Sequence, residues 1–535
     1  MALFKLTVVA VLFSAVTAKG YLRVCYYSNW AQYRLVPAKM TPDKIDPKLC
    51  THLIYAFAEL DSNSELSFTE WNDGDMVKVL SGLKAQNPDL KTLLAVGGYN
   101  QGSTPFSDMA ASSYKRSKFA RTAVDFLKTW GFDGLDLNWE FPGGKGGRRR
   151  KDKKNFISLI KELREVFDSS NYNKLLLTAA LPAGKVQIDT GYDIAKMAKN
   201  LDFVSLMSYD FNGDWDDAAG HNSPLYPRDS ETGDDRRKNV DWAATYFIEK
   251  GIPKEKLIIG LPTYGRHYKL SDKSNYNISA PIKRAGTKGR YTKEPGFLAF
   301  YEVCKLLGDG KRVFETTQKV PYLIHMDHWI GYDDEESFEF KLTYIKKKGF
   351  GGAAVWTIDM DDFGQLCPGS KERPAFPLIS LMAGMLGENA QDDMPEEYGG
   401  DTDGNEDQRG INKFNPSSQR CEYAKNANCS AERKEMSNSK TPNVRTLLDK
   451  LKIRMSELDL PYDTDTDSSE TNLWQFENSE RDMSDLGQTD QYLENPDRDL
   501  SDRDSQELLD MESSYYDSQD LDSRDLDSSE EDYIF

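Results

Sequence analysis

Asp136, Asn138 and Glu140 occupy every second position in the run Phe132 to Pro142, which reads Phe-Asp-Gly-Leu-Asp-Leu-Asn-Trp-Glu-Phe-Pro. Leu135 and Leu137 alternate with them, so at strand period the three polar groups share one face, about 7 Å from one to the next. Gly134 interrupts the chain on one side and Phe-Pro-Gly-Gly on the other. A strand whose inward face carries carboxyl and amide groups is ending at a site. The residue types are those of proton transfer and charge stabilisation. A surface hairpin with a wet polar side fits poorly, because the flanks are apolar.

Such a strand needs neighbours. From Tyr21 onward, β-like runs alternate with amphipathic helical stretches, which predicts an α/β fold with a parallel sheet. The expected strands are Leu22 to Tyr27, His52 to Phe57, Lys91 to Val96, Gly134 to Asn138, Leu175 to Ala180, Phe203 to Met207, Leu257 to Leu261 and Gly352 to Trp356. Eight units suggest a (β/α)8 TIM barrel, where chemistry sits at the C-terminal strand ends. Those ends carry Tyr26 and Trp30, then Gly97-Gly98-Tyr99-Asn100, Glu140, Met207 with Tyr209-Asp210, Tyr264 with Arg266, and Trp356. Aromatic side chains after five strands on one rim suit the apolar faces of pyranose sugars. One stacking surface of Tyr26, Trp30, Tyr99 and Trp356 is expected.

Asp133-Gly-Leu-Asp136-Leu-Asn138-Trp-Glu140 resembles the Asp-Gly-x-Asp-x-Asp-Trp-Glu signature of glycoside hydrolase family 18, the chitinases and chitinase-like lectins. The resemblance spans roughly residues 21 to 387. It implies that Glu140 protonates the glycosidic oxygen and that the substrate's own acetamido group is the nucleophile. It places Asp136, Asn138 and Tyr209 in the catalytic set. Tyr26, Trp30, Glu70, Trp71, Gly97, Gly98, Tyr99, Asn100, Phe141, Met207, Asp210, Tyr264, Arg266 and Trp356 are carried over as substrate-binding. Chitin or its oligosaccharides are the implied ligand. The resemblance also implies the disulfides Cys25–Cys50 and Cys304–Cys367, and a small α+β insertion at about 268–346. No metal, cofactor, nucleic-acid or membrane partner is expected; His325, Asp327 and His328 are read as an alternating strand.

Three positions depart from the family pattern. Its third Asp is Asn138 here, its Trp is Tyr99 and its Tyr is Phe141. Asn138 still accepts an N–H bond through its side-chain oxygen but supplies no charge. A charged acceptor contributes roughly 1.5–3 kcal/mol against about 0.5–1.5 for a neutral one, and losing a preorganised electrostatic partner costs around 10²–10³ in rate. Without a carboxylate beside it, Glu140 is also expected to be a poorer acid near neutral pH. Impaired hydrolysis follows from these departures, with a chitin-binding lectin as the alternative.

The 535 residues carry a net charge of −19 that hides a division. Residues 388–535 hold 40 acidic and 15 basic side chains, a balance of −25, which leaves +6 on the remainder. Residues 1–18, with Lys5 before an apolar run, read as a secretory signal peptide, and six cysteines fit an oxidising compartment. The barrel is expected over 19–387 and a linker over 388–460, with a short helix at 443–460. Residues 461–535, rich in Asp and Ser, are read as a disordered acidic tail. That tail suits either a solubilising appendage or a weak collector of Ca²⁺ or calcium mineral in an extracellular matrix. Asn277 and Asn428 sit in glycosylation sequons, and Cys421 and Cys429 are left over, close enough in sequence for a local disulfide or for two free thiols. Lys145 to Lys154 is strongly basic and reads as a flexible solvated loop or an anion-binding lip.

Overall fold

The computed structural model describes residues 20–387, apart from positions 149 and 173, together with the backbone of 412–415 and 420–423. We number the barrel strands β1 (Leu22–Ser28), β2 (His52–Leu60), β3 (Lys91–Gly97), β4 (Gly134–Asn138), β5 (Leu176–Pro182), β6 (Phe203–Met207), β7 (Leu257–Pro262) and β8 (Gly352–Trp356). Each pairs in parallel with its neighbour, and β1 pairs with both β2 and β8, which closes the barrel. All eight expected strands are present. The differences lie at the ends: β1, β3 and β7 each run one residue further, β2 continues to Leu60, and β5 starts one residue later and runs to Pro182.

Period-two alternation divides each strand between two cores. Val24, Tyr26, Ile54, Ala56, Leu93, Ala95, Phe203, Ile258 and Ala354 pack inside the barrel. Leu135 and Leu137 face outward and join the layer that includes Phe119, Phe156 and Ile160 from the helices. Helix Ser113–Trp130 is capped by the Ser112 hydroxyl and ended by Gly131 in the left-handed conformation, φ 73°. Helix Asp152–Ser169 buries Phe156, Leu159, Ile160, Leu163 and Phe167, the one-sided spacing of a helix laid on a sheet.

After β7 the chain turns directly into Tyr264–Leu270, the first strand of a second, antiparallel sheet. This strand pairs with Ile282–Ala285, Phe297–Ala299 and His328–Gly331, and the sheet continues through Val320–His325 to Lys311–Glu315. Helix Glu335–Lys348 then returns to β8. His325 and His328 are cross-strand partners, and His328 shares a 2.8 Å hydrogen bond with His267. Cys25–Cys50 and Cys304–Cys367 are disulfide-bonded, with Cα separations of 6.1 and 5.4 Å. Among the described residues no helix is long and apolar enough to cross a membrane.

Beyond residue 387, Asn412–Asn415 and Arg420–Tyr423 form an antiparallel pair. The expected signal peptide, the helix at 443–460, Asn428, Cys429 and the acidic tail lie outside the described residues. Asn277 is exposed.

Candidate active site

β4 presents Asp136 and Asn138 to the barrel interior, fully buried, and ends before Glu140, which is partly exposed. Asp136 accepts three side-chain hydrogen bonds. Tyr26 donates from β1 at 2.9 Å, Thr178 from β5 at 2.5 Å, and the Asn138 amide at 2.6 Å. Burial raises the Asp136 pKa, and these donors, Thr178 foremost, act to lower it. Because Asn138 spends its Nδ2 on Asp136, its Oδ1 is the end left for a ligand.

Burial, followed by the charge of Asp210, pushes Glu140 from 4.5 up to about 7. This corrects the expectation that losing a neighbouring carboxylate makes Glu140 a poor acid at neutral pH. Desolvation dominates, and Asp210 supplies the like charge from another strand end. Tyr209, raised by burial and then by the charges of Asp210, Glu140 and Asp136, remains a hydroxyl donor.

The loop after β4 is anchored behind Glu140. Trp139 Nε1 donates to Ser103 Oγ at 2.7 Å, and Ser103 Oγ donates to the Phe141 carbonyl at 2.9 Å. Tyr192 donates to the Trp139 carbonyl at 3.2 Å. At Gly97, φ 110°, a Cβ would stand 2.3 Å from the Asn138 carbonyl oxygen, so only glycine lets β3 approach this closely. Gly98 donates its N–H to the same carbonyl at 2.9 Å.

The rim is arranged differently from the expected stacking surface. Trp356 contacts Trp30 at 6.3 Å, Phe57 at 5.7 Å and Tyr26 at 5.5 Å between ring centroids. Tyr26 is buried with its hydroxyl committed to Asp136, so it supports the platform rather than forming part of it. Tyr99 is 82 % exposed and joins no ring cluster among the described residues; Asn100 is exposed beside it. Trp71 is 85 % exposed, and its neighbour Glu70 accepts from Tyr33 at 2.6 Å. Phe57 is not among the expected site residues; its place at the end of the expected strand His52 to Phe57, in line with the other strand-end aromatics, is the available signal.

Opposite, Asp210 accepts from Tyr264 and from Arg266, each at 2.7 Å. The Arg266 guanidinium lies 4.9 Å from the Trp215 ring and 5.4 Å from Phe297. Met207, at the end of β6, and Phe141, next to Glu140, are partly buried. Trp215, Phe297 and Asn222 also escaped the sequence reading. Asn222 Oδ1 accepts from the Asp210 N–H at 2.9 Å, and its Nδ2 donates to the Tyr264 carbonyl at 3.1 Å, which ties two strand ends together. A cavity of about 370 Å³ runs from Trp30 and Trp356 to Glu294 and Phe297. The aromatic and hydrogen-bonding side chains of the strand ends wall a groove, and Glu140 follows the end of β4 on the same rim; the cavity itself is lined by Trp30, Phe297 and Trp356 and not by Glu140.

A family model for glycosyl hydrolases family 18 matches residues 23–361. The chain belongs to this family. It is 46 % identical over 364 residues to mouse chitotriosidase-1, covering 67 % of this chain and 76 % of that one. Among solved structures, an immunomodulatory active chitinase from Trichuris suis superposes with a TM-score of 0.66 at 42 % identity, over 69 % of this chain and all of that one. Human YKL-39, described as a pseudo-chitinase with retained chitooligosaccharide binding, gives 0.64 at 39 % identity, over 68 % of this chain and 98 % of that one.

Proposed function

We propose that the groove binds chitooligosaccharides and hydrolyses β-1,4-linked N-acetylglucosamine slowly, with retention of configuration. The observation that carries the reading is Glu140 just past the end of β4, half-buried and raised by burial to about 7, together with family membership. Glu140 protonates the glycosidic oxygen as the C1–O bond breaks. The acetamido carbonyl oxygen of the same sugar attacks C1 and forms an oxazolinium ion. Water, deprotonated by Glu140, then opens that ion at C1. Tyr209 donates to the acetamido oxygen, and Asn138 Oδ1 accepts the acetamido N–H. The developing positive charge meets a neutral amide, while Asp136, two residues earlier on the same strand face, already holds three donors. Stabilisation is correspondingly weak. Trp356 and Trp30 stack the sugars, and Asp210, Tyr264 and Arg266 hold their hydroxyls.

Turnover of an N-acetylchitotetraose by the purified full chain tests this. Slow release of products of retained anomeric configuration is expected. Binding without any release, unchanged in Asn138→Asp, would overturn hydrolysis. That outcome would select the second reading, a chitin-binding lectin, which Asn138 itself favours. We further read the protein as exported, with residues 461–535 collecting Ca²⁺ weakly through many carboxylates, at millimolar affinity or weaker. Deleting 461–535 is then expected to abolish adsorption to calcium carbonate and leave chitin binding unchanged. Equal adsorption by both forms would leave the tail a solubilising appendage.

A further inference from the structure

Between Lys145 and Lys154, just past Glu140, seven of ten residues are basic and one is acidic, and the groove uses none of them. The single acid, Asp152, is fully buried. It accepts from the backbone N–H of Gly143 at 3.0 Å, from that of Arg148 at 2.6 Å and from Ser107 Oγ at 2.8 Å. A Cβ at Gly147 would lie 2.6 Å from this carboxylate, and Thr104 Oγ1 donates to the Gly146 carbonyl at 3.1 Å. The segment is therefore a clamped turn, which corrects the expectation of a flexible solvated loop. Its carboxylate is buried, Lys153 donates to the Asp189 carbonyl at 2.7 Å, and Lys145 and Arg148 are exposed.

Arg150, Lys151 and Lys154 are exposed. Among the described residues none of the three forms an ion pair, whereas Arg148 pairs with Asp108 at 2.5 Å. The flanking acid Asp189 is held by Lys185 and Lys250. Helix Asp152–Ser169 begins here, and its positive end adds to the same field. Exposed Lys161 lies two turns beyond Lys154 on the same face.

We propose that this rim binds a sulfated polysaccharide. Unscreened cations spaced along a fixed turn and one helix face suit a chain of repeating anions better than a single small ion. Guanidinium groups match the planar pairs of oxygens that an oxyanion presents. Binders of single-stranded nucleic acid interleave aromatic side chains to stack bases. From Gly143 to Asn155 there is no aromatic residue, and Phe156 is buried. The turn leaves directly from the Glu140 loop, so the bound chain lies beside the groove rather than in it.

The test is a salt gradient with the full-length protein on dextran sulfate, carboxymethyl-dextran and uncharged dextran beads. Despite a net charge of −19, the protein is expected to be held on dextran sulfate, to leave carboxymethyl-dextran at lower salt, and to pass through plain dextran. The triple variant Arg150→Ser, Lys151→Ser, Lys154→Ser is expected to reduce the slope of log affinity against log salt by about 2–3, as three lost contacts to a polyanion require. Its melting temperature and chitooligosaccharide binding should match those of the parent. A parent that washes through dextran sulfate, or a triple variant that elutes with the parent, overturns the proposal. Equal retention on carboxymethyl-dextran removes the preference for sulfate. Tighter retention on single-stranded DNA beads reassigns the rim to nucleic acid.

Discussion

At the residue scale, the site turns on one oxygen replaced by nitrogen. A carboxylate at position 138 would face Asp136 across a gap now bridged at 2.6 Å by the amide donor, and would have to share a proton there or turn toward the substrate. Asn138 stays where it is and remains neutral. Asn138→Asp is therefore expected to raise kcat by about 10²-fold or more, because charge returns to the transition state. Steady-state kinetics on a chitooligosaccharide would show it, and unchanged kcat in a variant that binds normally counts against the mechanism. Glu140→Gln should abolish turnover and leave binding nearly intact. The pH dependence has a definite sign. Glu140 is raised from 4.5 to about 7, so its acid form is present below about pH 7 and lost above it, and kcat should fall on that alkaline limb. The folded protein also holds this proton more tightly than the unfolded chain does. Stability should then fall as pH rises from about 4.5 to about 7, and Glu140→Gln should remove on the order of 2–3 kcal/mol of that fall. Chemical denaturation of both proteins at pH 4 and pH 8 measures the difference.

At the element scale, the groove is made by strand ends held apart and tied together by a few buried polar groups. Trp356, at the end of β8, is flanked by Phe57 from β2 and Trp30 after β1. Trp356→Ala should weaken chitooligosaccharide binding by about 1–3 kcal/mol, the range of an aromatic stacking contact, as titration calorimetry would read. Asp152 does comparable work behind Glu140 by joining Gly143, Arg148 and Ser107. Asp152→Ala leaves the buried Gly143 and Ser107 donors, and the half-buried N–H of Arg148, without their acceptor. It should cost about 3 kcal/mol of stability, and a denaturation midpoint equal to the parent's would show that the clamp contributes nothing.

At the scale of the molecule, two disulfides close loops of 25 and 63 residues. Loop-closure entropy assigns them about 3.5 and 4.3 kcal/mol in the unfolded-chain model. A reductant should lower the melting temperature measurably, with Cys304–Cys367 the larger contributor. Single pairs of Cys→Ser variants separate the two. The second sheet matters to function because Tyr264 and Arg266 ride on its first strand, so one side of the groove belongs to a sheet that is not part of the barrel.

Much of this was legible in order along the chain. Alternation of apolar and polar residues reports directly which face a strand buries, so all eight barrel strands and the polar face of β4 could be read before any coordinate. The small number of cysteines and the family signature were equally local. What tertiary structure decided was non-local. Tyr26 was read as a sugar platform, but closure of the barrel brings it 2.9 Å from Asp136, 110 positions away. The raised pKa of Glu140 depends on desolvation and on Asp210 from another strand end, neither of which a spacing encodes. The basic turn looked mobile because glycine and charge dominate its composition, yet Asp152 folds inward and holds it, since a buried carboxylate must find donors. Sequence period determines which way each residue points; only closure of the barrel determines what it meets there.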